Sequence, residues 1–443
     1  MKKPFILLLL LCSSYHIVWA QQWTLQQCID YATTHNVQLL KSTLQQRSAQ
    51  EDLKQSQAAL LPSLSLSTQQ NLTYRPFTES GTSTVANGYV QNSVDKVYYN
   101  GSYGVNANWT VWNGNRNYDQ IKLNKLTAEQ AALDSAAMAL TLQEQIATLY
   151  VQILYSAEAI KVNQENLKTT QANEDRGQML LNVGKMSRAD LAQLTAQRAQ
   201  AEYAVVQAES ALSNYKRQLK ELLQLTTEDF DVVIPSATDA LALEAIPSVR
   251  TVYASALANR PEIQNARLGL EASDLSIKMA KASTLPTIGL SASAGTTTTS
   301  LSDNAWGSQM KTNFDVGAGI SVSIPLFDNR QSRTSINKAK IQRESYQLDL
   351  QNQQTSLYST IENYWLQATT NQQQFQAAKV STESAQESYN LLSEQFRLGL
   401  KNIVELMNGK DNLLQAQQSE LQSKYLTILN IQMLKFYENG KIQ

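Results

Sequence analysis

Three charged side chains sit at spacings that could do chemistry. Asp190 follows Gly184 by six residues, Glu405 follows Gly399 by six, and Lys401 lies between the second glycine and its acid. Glycine and acid are both displaced by 215 residues from one copy to the next, so the chain is an internal duplication. In the second copy the lysine stands four residues before the acid, the spacing of a surface ion pair on a helix. Catalysis is a poor fit: glycosidase chemistry needs two convergent carboxylates, and the acids here are scattered along helix faces. Of two cysteines and two histidines, Cys28 and His35 alone lie beyond residue 20. That count excludes a disulfide framework, Cys/His zinc sites and histidine triads. No enzyme activity, metal or cofactor is expected.

The elements that position these charges are long helices. Gly184 and Gly399 supply the permissive backbone that ends one helix before the next begins. Two antiparallel helices therefore meet at a tip in each copy. No glycine or proline interrupts Asn115 to Arg176 or Gln331 to Leu398. At ~1.5 Å per residue these runs make helices on the order of 90 to 100 Å. Leu126, Leu133, Leu140, Ala147 and Leu154 recur at spacing seven, a coiled-coil seam.

Residues 1–20 read as a secretory signal peptide, with Lys2 and Lys3, an apolar run from Phe5 to Leu11, and Val18-Trp19-Ala20 before the cut. Cys12 invites a lipoprotein reading, which Leu11 immediately before it disfavours because a small residue is wanted there. A net charge of −1 gives no reason to expect nucleic acid or a polybasic anchor. Beyond the leader no segment approaches the ~20 apolar residues of a spanning helix, so any membrane crossing must use strands.

Strand signals occur four times. Helical pattern runs from Gln26 to Leu60 and stops at Leu61-Pro62; the first repeat then holds strands at about 63–73 and 98–112. In the longer one Tyr99, Gly101, Tyr103, Val105, Ala107, Trp109 and Val111 alternate with Asn, Ser, Gly and Thr. The second repeat holds strands at about 286–298 and 313–325, again alternating, with polar loops expected at 74–97 and 299–312. The repeats span 21–225 and 248–437, joined by a linker at 226–247 and followed by a tail at 438–443. The fold class is therefore α+β: long antiparallel coiled-coil helices plus four strands per chain. Alternation alone also fits a half-buried soluble sheet. In lipid, four strands cannot close a barrel, since known barrels begin at about eight, and open edges are not tolerated there. Copies of the chain would have to pool their strands.

The duplicated helix–strand–strand–helix plan, the Leu61-Pro62 and Leu285-Pro286 strand entries, the Trp112 and Phe327 strand exits and both tip motifs together resemble the TolC-like outer membrane efflux proteins. That resemblance covers nearly all of the chain beyond the leader. It implies a homotrimer in the outer membrane, with a shared twelve-stranded β-barrel joined to a periplasmic α-barrel. It also implies an exit duct for small molecules or proteins in a tripartite efflux or type I secretion system. The implied partners are outer-membrane lipid, a periplasmic membrane-fusion adaptor and, directly or through it, an inner-membrane pump. In the family's second tip a glycine, a basic residue and two aspartates one turn apart form a gate; the matching positions are Gly399, Lys401, Glu405 and Asn408. Glu405 keeps the charge and Asn408 loses it, which puts strong cation selectivity in doubt. Asp190 matches an aspartate that latches the entrance through that basic residue. Lys401 and Glu405 are also four apart, as in an ordinary surface pair, and both readings of Glu405 stand. A periplasmic coiled-coil adaptor or scaffold is the alternative function; it leaves the four strands unexplained.

Overall fold

The computed structural model describes residues 22–77, 82–85, 88–91, 96–226, 230–235 and 238–441. Residues 1–21, which hold the expected leader and Cys12, and parts of the expected loop at 74–97, linker and tail lie outside the described residues. In chain order the elements are β1 (Gln22–Trp23), α1 (Leu25–His35), α2 (Val37–Ala58), β2 (Ser63–Tyr74), β3 (Thr82–Val85), β4 (Gly88–Gln91) and β5 (Val97–Trp112). They continue with α3 (Arg116–Asn182), α4 (Arg188–Leu223), β6 (Asp231–Val232), α5 (Thr238–Ala242), α6 (Val249–Asn259) and α7 (Pro261–Ala282). The last are β7 (Thr287–Thr299), α8 (Trp306–Thr312), β8 (Asp315–Ser323), α9 (Gln331–Arg397) and α10 (Ile403–Asn439).

Two compact units emerge: the described parts of 1–43, 134–264 and 353–443, and the described parts of 44–133 and 265–352. The helices α3 and α9, each an unbroken 67 residues, contribute to both. No helix is long and apolar enough to cross a membrane among the described residues.

The expected single helix from Gln26 to Leu60 is broken at Asn36. Its backbone is extended (φ −66°, ψ 123°), and its side-chain oxygen accepts from the amides of Gln38 and Leu39 at the start of α2 while its Nδ2 donates to the Leu222 carbonyl. One buried amide thus ends a helix, caps the next and ties both to α4. Cys28, near the start of α1, is buried, and burial pushes its thiol up to about 12, which makes it an inert apolar residue. His35 stacks on Tyr31 at 3.9 Å. Along the seam of α3, Leu126, Ala147 and Leu154 are buried and Leu133 and Leu140 half-buried. The segment 238–244 is pinned by Lys424, which bridges Glu158 (2.8 Å) and Asp239 (3.5 Å), and by Lys435 on Glu244 (2.5 Å).

The second unit carries a four-stranded antiparallel sheet in the order β2-β5-β7-β8. Two stretches expected to be loops hold structure. β3 and β4 form a hairpin. The stretch 299–312 contains α8, fastened by Gln309, whose side chain accepts from the Thr299 amide and donates to the carbonyls of Thr299 and Asn304.

Both tips close the same way. Lys185 N–H bonds the Leu180 carbonyl and Gly184 N–H that of Leu181; Leu400 bonds Gln395 and Gly399 bonds Phe396 in the same pattern. This is the Schellman termination, with each glycine left-handed at φ +72° and +77°. A Cβ at either position would meet nothing within 4 Å, so alanine there suffers backbone strain alone, about 1 kcal/mol. Gly184→Ala and Gly399→Ala are expected to speed amide hydrogen exchange in the terminal turns around each tip while leaving the global melting temperature unchanged.

Candidate functional site

Two features carry functional geometry, the sheet and the tips. In the sheet, strand register decides which residues share a face. Leu64 pairs with Ala107 and Leu66 with Val105; Trp109 pairs with Leu290, Ala107 with Ala292 and Val105 with Ala294. Leu290 then faces Ile320, Ala292 faces Ala318 and Ala294 faces Val316. The apolar sets of all four strands therefore coincide on one face. The opposite face is Ser63, Ser65, Ser67, Asn106, Asn108, Ser291, Ser293, Gly317, Gly319 and Ser321, small or polar throughout. The single irregularity, between Thr110 and Trp112, comes at the strand exit, where it no longer disturbs the alignment.

That apolar face is uncovered: Leu64, Leu66, Val316 and Ile320 are 75, 81, 72 and 73% exposed. A contiguous apolar surface of this kind marks an interaction with a partner or with lipid. β2 and β8 are the outer strands, and each has one edge that no strand pairs among the described residues.

At the first tip, Ser187 caps α4 and accepts from the Asp190 amide at 3.1 Å; its hydroxyl donates to the Asp190 carboxylate at 2.8 Å. At the second, Asn402 caps α10, accepting from the Glu405 amide at 2.9 Å and donating to its carboxylate at 3.2 Å. Asp190 and Glu405 thus occupy equivalent first-turn positions, where an acid is favoured by the helix dipole. Lys401 Nζ pairs with Glu405 at 2.5 Å. Both members are exposed by about two fifths, so within the chain this pair contributes a few tenths of a kcal/mol at most. Asp190 does not meet Lys401 within the protomer. Asn408 is exposed one turn beyond Glu405.

Behind the charges lies an apolar cluster of Leu194, Tyr389, Phe396, Ile403, Leu406 and Leu413. Sequence reasoning missed it because these residues come from three separate helices. Lys410, two residues past Asn408, is 95% buried with no ion pair among the described residues, and burial pushes its pKa down. A lysine in a polar-rich helix carries no sequence signal for burial. The capping motifs Ser187-x-x-Asp190 and Asn402-x-x-Glu405 did carry one, the acid three residues after a cap. No cluster of metal-ligating side chains occurs among the described residues.

An uncovered apolar sheet face together with two unbroken 67-residue helices is the combination expected of a strand-and-coiled-coil membrane protein. The sequence model of the outer membrane efflux proteins matches residues 28–224 and 252–436, one segment in each repeat, and the chain belongs to that family. It is 22% identical over 446 residues to the outer membrane protein TolC of Escherichia coli, covering 97% of this chain and 85% of TolC. It is 24% identical over 285 residues to the outer membrane efflux protein BepC of Brucella suis, where the match spans 64% of this chain and 60% of BepC. The solved structure of CusC, which concerns folding and transmembrane channel formation, superposes with a TM-score of 0.79 at 16% identity over 94% of this chain and 92% of CusC. At that identity the superposition speaks for the fold.

Proposed function

We propose that this protein is the outer-membrane exit duct of a tripartite efflux or type I secretion system, passing small molecules or proteins out of the periplasm without chemistry of its own. The observation that carries the reading is the register that gathers the apolar residues of β2, β5, β7 and β8 on one exposed face. Lipid demands that backbone groups be paired, so the free edges of β2 and β8 require neighbouring copies. Three copies, the number that the resemblance to TolC-like proteins implies, would pool twelve strands. The helical parts then stand in the periplasm, where the tips meet a membrane-fusion adaptor and, through it or directly, an inner-membrane pump. Light scattering of the detergent-extracted protein tests the oligomer: a trimer mass is expected, and a monodisperse monomer would contradict it.

The tips form the periplasmic gate. In the closed state Asp190 of one protomer pairs with Lys401 of another, and the three Glu405 carboxylates make a ring that draws cations and repels anions. With Asn408 neutral there is a single such ring. Lys401→Ala removes only a weak contact within its own chain. A severalfold rise in uptake of large antibiotics by cells therefore identifies a partner outside that chain. Asp190→Ala added to Lys401→Ala should then raise uptake no further; unchanged uptake in the single variant would sink the latch.

A further inference from the structure

A cavity of about 790 Å³ opens at the junction of the sheet with its helices, lined among others by Tyr118, Asp119, Lys122, Lys278, Lys281 and Leu285. It lies directly below two central strands: β5 ends at Trp112 just before Gly114 of the cavity wall, and β7 begins at Thr287 just after Leu285. Gly114 makes this close approach possible. Its φ is +70°, and a Cβ there would stand 2.9 Å from Leu285 Cδ1 and 3.1 Å from the Ala282 carbonyl oxygen.

The charge in the cavity is unbalanced. Asp119 is held by Lys122 at 3.7 Å. Lys278 and Lys281, three apart on α7, form no ion pair among the described residues, and like charges at this spacing repel. Asp274, one turn before Lys278 and correctly spaced to pair with it, is instead bound by Arg343 at 2.6 Å. Asp328 at the other strand exit accepts from the Ser332 amide at 2.7 Å. Beside the two free ammonium groups, Tyr118 and Leu285 are 55 and 43% exposed. Cations next to uncovered aromatic and aliphatic side chains, at the helix-side boundary of a lipid-facing sheet, match a ligand that is anionic at one end and apolar at the other.

We propose that this cavity seats the headgroup of an anionic phospholipid from the periplasmic leaflet of the outer membrane, its phosphate between Lys278 and Lys281 and its glycerol and upper acyl chains against Tyr118 and Leu285. The inference rests on the reading of the sheet as membrane-spanning. The site sets the depth of each protomer in the bilayer and gives the sheet a charged stop on its periplasmic side.

The test is native mass spectrometry of the full-length, detergent-extracted protein with added phosphatidylglycerol or phosphatidylcholine, for wild type and Lys278→Gln/Lys281→Gln. Wild type is expected to retain phosphatidylglycerol over phosphatidylcholine by on the order of tenfold. The double variant should lose that preference while keeping wild-type oligomer mass and melting temperature. Equal retention of the two lipids by wild type, or an unchanged preference in the variant, would overturn the site. Displacement of the lipid by millimolar inorganic phosphate would also overturn it, by marking a site for free phosphate. Failure of the membrane reading looks different, because neither protein would then carry any lipid or detergent belt.

Discussion

Ile320→Lys is expected to abolish the membrane-inserted oligomer, whereas Ser321→Lys, one residue on, leaves it assembled. Ile320 lies in the middle of β8 opposite Leu290, on the face shared by Ala318 and Val322, and is 73% exposed in the protomer. If that face meets hydrocarbon, a lysine at the bilayer midplane costs roughly 2–4 kcal/mol in every copy. Ser321 pairs with Gly289 on the polar face, where the same side chain stays in water inside the duct. Because the introduced residue is identical, differences in strand propensity largely cancel. The readouts are recovery in the outer-membrane fraction and the heat-resistant oligomer band. Equal loss in both variants would mean that the two faces are not lipid and water.

Leu406→Ala should loosen the packing of the tip within the protomer more than any substitution of the charged residues. Leu406 is 1% exposed and packs within the cluster of Leu194, Tyr389, Phe396, Ile403 and Leu413. Truncating a buried leucine costs about 2–5 kcal/mol, through lost transfer energy and the cavity left behind. The adjacent Lys401–Glu405 pair is worth a few tenths. An order of magnitude separates the two, so within the chain the apolar cluster, and not the charge pair, holds α4, α9 and α10 together. The expected result is faster amide exchange through residues 385–413 and higher uptake of large antibiotics, with the oligomer retained because no strand is touched. Faster exchange with unchanged uptake would separate tip packing from gating.

The fold class was legible because the elements are long and their periods clean. Val105, Ala107, Trp109 and Val111 alternate without exception, and nothing interrupts the helices on either side of Gly184 and Gly399. What was illegible depends on contacts distant in sequence. The junction of β5 with β7, which aligns Trp109 with Leu290, joins residues about 180 positions apart, and no local pattern specifies it. The helix break at Asn36 escaped notice because it uses neither glycine nor proline, only one amide that finds the Leu222 carbonyl. α8, seven residues long, is too short for periodicity and is held by Gln309. At the tips the glycines and acids were visible as a repeated motif. The apolar cluster behind them and the buried Lys410 were not, since burial is decided by which helices pack and not by residue type.

The most direct test of the account is single-channel conductance of the purified, detergent-extracted protein in planar bilayers, for wild type, Lys401→Ala and Glu405→Gln. Discrete openings are predicted, larger or longer in Lys401→Ala and with weakened cation preference in Glu405→Gln. A well-folded sample that never inserts would contradict the duct and favour a soluble periplasmic adaptor.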